Sequence, residues 1–172
     1  MLLILNICNK EKVLSKVEVK KFNYGINNIP AMGNEYEVWQ QLKLQAKLIL
    51  EEANELVTAC DDEDMVEALD AYCDVEYLNT WLEHLLYSFG CDTRKALDQV
   101  CENNTSKITT SYTYALISKE ALEEKGTVCY IDQTVYEGET LYCVKRSEDG
   151  KVMKLADHKR PNLEQFVGKE FR

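Results

Sequence analysis

Apolar residues recur every three or four positions through the middle of the chain and every second position nearer its end. Leu42, Ala46, Ile49, Ala53 and Leu56 are spaced four, three, four and three, which gathers them into one stripe of a helix at about 100° per residue. Val66, Leu69, Cys73, Tyr77, Thr80 and Trp81 form the stripe of a second helix. Gly90 stops that helix, and Asp92 or Thr93 caps a third through RKALDQVCENNTSKI. From about residue 109 the period shortens: TVCYIDQTVY and ETLYCVKRS read as strands joined at EG, and SEDGK carries an Asp149-Gly150 turn. The predicted fold class is mainly α, an antiparallel helix bundle with a small C-terminal β-meander. Residues 1–34 read as an arm of strand (MLLILNIC) and loop, 35–108 as the helical core, and 109–172 as a β-rich appendage ending in a helical turn near Pro161.

Polar positions on the two long helices carry the candidate chemistry. Glu52 and Glu55 stand at i,i+3, and Asp70 and Asp74 at i,i+4, so each pair shares a helix face. Glu52 falls roughly 40° beyond its apolar stripe. Asp70 falls inside the second stripe and Asp74 at its border. A carboxylate among apolar neighbours costs several kcal/mol, of order ~3 or more, unless something pairs it. An antiparallel hairpin brings the four acids together, and like charges at such range call for a cation. Oxygen-only donors suit Mg²⁺, with Mn²⁺ as a substitute. Glu51, Glu63, Asp64 and Glu67 read as ordinary surface acids, with Glu67 a spare ligand one turn before Asp70. At the end of the third helix, Asn104 and Lys107 offer donors and a point charge to a phosphate, or simply a helix cap.

Composition narrows the field. The chain has 172 residues, 30 acidic and 20 basic, for a net charge of −10, which argues against binding long nucleic acid. MLLILNIC is too short to span a membrane and lacks the basic lead-in of a signal peptide. The seven cysteines form no CxxC, so reduced thiols in a cytoplasm (a host's, if the protein is viral) are expected, with Cys73 packed as a small hydrophobe. His84 reads as a packed or interface histidine and His158 as exposed. No GxxxxGK phosphate loop exists. Leu78, Leu82, Leu85 and Leu86 add a second apolar side to the second helix, which points to homo-oligomerisation.

Taken together, EExxE, a short acidic loop, EALDAYCDVEYL, a glycine stop and a final V-x-x-x-N-x-x-K resemble the MazG-like all-α nucleoside triphosphate pyrophosphohydrolases, in the phosphoribosyl-ATP pyrophosphohydrolase-like branch common in phages. The resemblance spans roughly residues 35–108. It implies that Glu52, Glu55 and Asp74 are metal ligands, that Asp70 matches a further acid of that branch, and that Asn104 and Lys107 contact nucleotide. It also implies dimers or tetramers of paired helices. Many relatives carry glutamate three residues before the final aspartate, where this chain has Ala71. That departure leaves either Asp70 as the replacement ligand or a weakly held second metal.

The reaction implied is Mg²⁺-dependent hydrolysis between the α- and β-phosphates, giving monophosphate and pyrophosphate, with Glu52 or Glu55 as the base that takes a proton from water. The alternative is a nucleotide-binding sponge or sensor that uses the same acidic metal site. Lys151 and Lys154, beside the hairpin turn, are candidates to reach substrate phosphates or plain solvated lysines. The wall for the base is open among Trp39, Tyr77, Trp81 and the tyrosines of the β segment (Tyr112, Tyr114, Tyr130, Tyr136 and Tyr142).

Overall fold

A computed structural model describes residues 16–171. The strand expected over MLLILNIC, and Cys8 with it, lie outside the described residues. Where the arm was expected to be loop, a helix (α1) runs over residues 16–25. It is held by Val19, which is buried with Trp81 and Leu85, and by the pair Lys16 Nζ–Glu83 Oε2 at 2.6 Å. The sequence signal for it is weak because its remaining residues are mostly exposed.

Two long helices follow: α2, Glu35–Asp61, and α3, Met65–Ser88. Asn34 caps α2 by accepting from the backbone N–H of Tyr36 and Glu37, and Asp64 caps α3 the same way from Val66 and Glu67. The turn between them is three residues long, with Glu63 in the left-handed region at φ 58°. So short a link makes the helices antiparallel neighbours. Gly90, at φ 79°, ends α3 as expected.

The two helices pack in a definite register. Val38 and Leu85 share the buried cluster, Gln45 Nε2 donates to the Leu78 carbonyl at 2.8 Å, and Asp64 N–H donates to the Ala59 carbonyl at 2.9 Å. These pairs step seven residues along each helix, leaving Glu52 opposite Ala71 in the one remaining place. The inward line of α2 is therefore Val38, Gln45, Glu52 and Ala59, flanked by Leu42, Ile49, Ala53 and Leu56 of the expected stripe, which are partly buried; of that stripe Ala46 is exposed.

The expected stripe of α3 is corrected in its first half. Val66 is 75% exposed and Leu69 61%, Cys73 is exposed rather than packed, and Asp70 is exposed rather than embedded. Trp81 of the expected stripe is buried, together with Ala71 and Leu85, which lay outside it. The helix is apolar on more than one side, so composition left its rotation open; the hairpin register decides it. Phe89, Trp81, Leu85, Val38 and Val19 form the core of this unit, with Ala31, Leu42, Tyr77 and Phe171 against it. Its final piece is a 3₁₀ turn, Lys169–Phe171, whose Phe171 ring meets Trp39 at 6.3 Å and Phe89 at 6.4 Å.

Residues 94–166 form a second compact unit, while 1–93 with 167–172 form the first. The division thus falls at the start of the third helix, not at residue 108. That helix, α4, is Thr93–Thr105, two residues short of Lys107, which lies in the following turn. Strands β1 (Ile108–Thr109), β2 (Cys129–Tyr136) and β3 (Glu139–Arg146) make an antiparallel sheet in the order β1-β3-β2. Glu137 and Gly138, at φ 52° and 85°, make the tight turn expected at EG. The Asp149-Gly150 turn also forms, but the chain beyond it adds only a single bridge, Lys145 to Val152. A further helix, α5 (Tyr112–Glu123), occupies a stretch expected to belong to the β segment. Ser111 caps it. Ala115, Ser118 and Leu122 recur at helical spacing, and Ala115 packs on Cys129, Val144 and Leu155 of the sheet side. Near Pro161 there is one 3₁₀ turn, Glu164–Phe166.

Leu85 is fully buried in the first unit, so Leu85→Ala is expected to destabilise by about 2–5 kcal/mol. Val66→Ala, at an exposed position, is expected to change the stability of an isolated chain by well under ~1 kcal/mol. Urea denaturation followed by tryptophan fluorescence distinguishes the two, and equal losses would contradict the register.

Candidate active site

The register of α2 against α3 determines what surrounds each acid. Glu52 lies on the inward line and is partly buried, whereas Glu55, Asp70 and Asp74 are exposed. Opposite Glu52 is Ala71, 5% exposed.

The electrostatics of the four acids converge on this one side chain. Burial raises the Glu52 pKa above its usual 4.5, and the charges of Glu55, Asp74, Glu51 and Asp70 raise it further, in that order. All four acids expected from the sequence therefore belong to one local field, and Glu51, expected as an ordinary surface acid, contributes to it. Among the described residues, no three His, Cys, Asp or Glu side chains are drawn close enough to clasp one ion. The donors themselves are all carboxylate oxygens, the class that suits Mg²⁺ or Mn²⁺.

Tyr77 is part of the packing around the first unit's core. Its ring meets Phe22 edge-on at 6.1 Å, and burial raises the pKa of its hydroxyl. His84 is packed as expected: its Nε2 lies 3.3 Å from the Tyr24 hydroxyl, its ring 5.0 Å from Trp81. Burial and the charge of Lys20 lower its pKa. Among the described residues, the indole N–H of buried Trp81 meets no hydrogen-bond acceptor.

The other candidates lie in the second unit. Lys107 Nζ donates to Asn104 Oδ1 at 2.7 Å, so these two side chains act as a pair. Lys151 holds the hairpin turn through its backbone, which donates to Asp149 Oδ1 at 3.1 Å. His158 corrects the expectation of an exposed residue. It is partly buried, with Nδ1 3.1 Å from Ser106 Oγ and Nε2 3.3 Å from Asn103 Nδ2. Burial lowers its pKa, as do the charges of Lys154 and Lys107, while Asp157 opposes them. No sequence spacing flagged this cluster, because its members are about 50 residues apart in the chain.

Residues 26–104 match the phosphoribosyl-ATP pyrophosphohydrolase family. That family is part of the MazG-like nucleoside triphosphate pyrophosphohydrolase superfamily. The MazG-like segment contains all four acids and ends at Asn104, so Lys107 and the C-terminal sheet lie beyond the match. No curated protein and no solved structure matches the chain. The family is one of pyrophosphohydrolases, which supports enzymatic cleavage of a nucleotide-like substrate. No helix among the described residues is long and apolar enough to cross a membrane, and Cys60, Cys73, Cys91, Cys101, Cys129 and Cys143 are free thiols.

The raised pKa of Glu52 has a definite sign. The folded chain binds this proton more readily than the unfolded chain, so stability falls as pH rises from the usual 4.5 through the raised value, and stays lower above it. Without metal, Glu52→Gln is expected to melt higher than the parent at neutral pH, with a flatter pH dependence above 4.5. Thermal melts in chelator across that range check this; a variant melting at or below the parent at neutral pH contradicts it.

Proposed function

We propose that this protein is a Mg²⁺-dependent nucleoside triphosphate pyrophosphohydrolase that releases nucleoside monophosphate and pyrophosphate. The observation that carries the reading is the joint field of Glu51, Glu55, Asp70 and Asp74 on the partly buried Glu52, within a segment that matches a pyrophosphohydrolase family. Five acids around one point repel a polyphosphate, so substrate entry requires cations.

In this reading Glu55, Asp70 and Asp74 hold the metal, with Glu52 able to share it. Mg²⁺, when bound, supplies neutralisation of the phosphate charge and polarisation at phosphorus. Glu52 is the base in this reading, because burial and the surrounding charges raise its pKa and with it its affinity for a proton. Its carboxylate takes the proton of a water whose oxygen bonds to the α-phosphorus. The bond from that phosphorus to the α,β-bridging oxygen breaks, and pyrophosphate leaves with the electron pair. Ala71 removes one carboxylate that many relatives have, and Asp70, one residue before it, is exposed and free to replace it. Asn104, Lys107, Lys151 and Lys154 are the proposed phosphate and nucleotide contacts, with Tyr77 a proposed contact of the base.

The same reading includes self-association. Met65, Val66 and Leu69 are 80%, 75% and 61% exposed at the first turns of α3, and Leu50 and Val57 of α2 are 61% and 59% exposed. So much exposed apolar surface on two paired helices favours burial against another copy, in a dimer or tetramer. A soluble cytoplasmic setting agrees with the free thiols.

Pyrophosphate release from a panel of ribo- and deoxynucleoside triphosphates, with and without Mg²⁺, tests the proposal. Metal-dependent release with monophosphate as co-product is expected. Asp74→Ala and Glu55→Ala are each expected to lower the rate by roughly 10²-fold or more without changing the oligomer, as judged by gel filtration. Full activity in either variant would rule out the assigned site. Metal-dependent nucleotide binding with no turnover would favour the sponge, to which the missing acid at Ala71 lends some weight.

A further inference from the structure

Strand β2 lies at the edge of the C-terminal sheet, and among the described residues only β3 pairs with it. Its eight residues run in unbroken register from Cys129 opposite Arg146 to Tyr136 opposite Glu139. In an antiparallel ladder, successive residues turn their backbone groups alternately toward the partner strand and away from it. The contacts of β3 settle which residues do which. The Val144 carbonyl accepts from Met153 N–H at 2.7 Å, and Arg146 N–H donates to the Lys151 carbonyl at 2.9 Å. Both bonds lie on the side of β3 away from β2, where Lys145 bridges to Val152. Ile131 and Cys129, opposite Val144 and Arg146, therefore turn outward as well, and so do Gln133 and Val135 at every second position. Cys129 N–H is taken by the Glu123 carboxylate at the end of α5, and Gln133 N–H by Asp132 Oδ1 at 2.9 Å. Among the described residues, no hydrogen bond closes the edge at Ile131 or Val135.

An open edge is a template for another strand, and folds commonly guard it with lysine, proline or a bulge. The strand CYIDQTVY has neither lysine nor proline, and its register with β3 contains no bulge. Tyr130, Val135 and Tyr136 are exposed. The one charge of β2, Asp132, is neutralised by Lys145, whose Nζ lies 2.5 Å from Oδ2.

The order of residues along β2 points to its occupant. Residues 130–136 read Tyr-Ile-Asp-Gln-Thr-Val-Tyr, nearly the same pattern from either end about Gln133. A two-fold axis at Gln133 sets Tyr130 against Tyr136 of a second copy, Ile131 against Val135, and Asp132 against Thr134. Aromatic and β-branched pairs across strands are favourable, and a threonine hydroxyl can donate to a carboxylate. Ile131, Gln133 and Val135 then face their counterparts, and each pair exchanges N–H and C=O bonds. Gln133 N–H trades Asp132 for a carbonyl of the second copy. The neighbouring registers are worse. One sets Asp132 against Asp132, a direct repulsion. The other carries Ile131 onto Glu137, whose φ of 52° belongs to the turn rather than to a strand.

We propose that the outer edge of β2 is an interaction surface for a second copy of this chain, pairing antiparallel with the same strand about Gln133 to join two sheets into one. This contact is separate from association through the exposed side of the helix hairpin, and it requires neither the acidic cluster nor turnover.

The test compares the full chain with Gln133→Pro and Val135→Lys. Proline at an outward position removes an N–H of the edge and leaves the ladder to β3 intact; lysine is a common guard of such edges. In the parent, the Ile131 and Val135 amides are expected to exchange slowly with solvent when concentrated and faster on dilution, as read by NMR. In both variants the Ile131 amide is expected to lose that protection at every concentration. The Tyr130 and Thr134 amides, which face β3, are expected to stay protected, showing that the sheet is folded. Sedimentation is expected to give each variant about half the mass of the parent assembly. Association through the helix hairpin survives both substitutions, so it alone would leave parent and variants equal in mass. Equal masses, or free exchange of the Ile131 and Val135 amides in the parent at its highest concentration, would overturn the proposal. Protection that arises only when an extended peptide of another sequence is added would assign the edge to a different protein, and would overturn it too.

Discussion

The placement of a carboxylate on the inward line of a helix hairpin governs the chemistry of the first unit. Packing α2 against α3 aligns Val38 with Leu85 and Gln45 with Leu78, and the same step puts Glu52 against Ala71. Two polar residues in four on that line would be a liability in an ordinary core. Gln45 is satisfied by donating to a backbone carbonyl at 2.8 Å, and its burial ties the register to a specific hydrogen bond rather than to apolar contact alone. Glu52 stands in a different setting. Its neighbours are acids, and their charges and partial burial all favour its protonated form.

That opposition is the physical link between packing and proposed function. A site that repels its own charges is destabilised when empty of cations and gains stability when it binds them. Ala71, opposite Glu52, adds no charge of its own, and its side chain is small. The aromatic side of α3 supplies the stability elsewhere, through Trp81, Leu85 and Phe89 at the opposite end of the hairpin. The acid-bearing end is correspondingly poor in buried apolar side chains, since Met65, Val66 and Leu69 are exposed.

The second unit shows the complementary arrangement. Its core is a short helix on a three-stranded sheet, closed by Ala115, Val144, Cys129 and Leu155. Beyond Leu155 the chain turns back along the end of α4, where the contacts of His158 and Asn103 fix the loop. Lys107 is outside α4 rather than on it, and the turn that holds it keeps Nζ on Asn104 at 2.7 Å. The helix hairpin is thus strongly acidic, with 14 acidic and two basic residues over 35–88, whereas residues 94–166 carry 12 acidic and 11 basic residues and are close to neutral.

Sequence alone determined the helix hairpin, the glycine that ends α3 and the EG hairpin of β2 and β3, because each rests on local spacing or a local backbone requirement. It did not determine which side of α3 faces inward. Apolar residues on more than one side leave several rotations equal locally, and only docking on α2 chose Ala71 over Asp70 and Leu69. Helix α5 was concealed for a related reason: its inward residues include Ala115 and Ser118, small side chains that signal burial only once a sheet lies beneath them. The His158 circuit was beyond any local pattern, since Asn103 and Ser106 meet it across some 50 positions of chain. Spacing specifies what neighbours in sequence share; which charges and rings meet across the fold depends on the packing of whole elements.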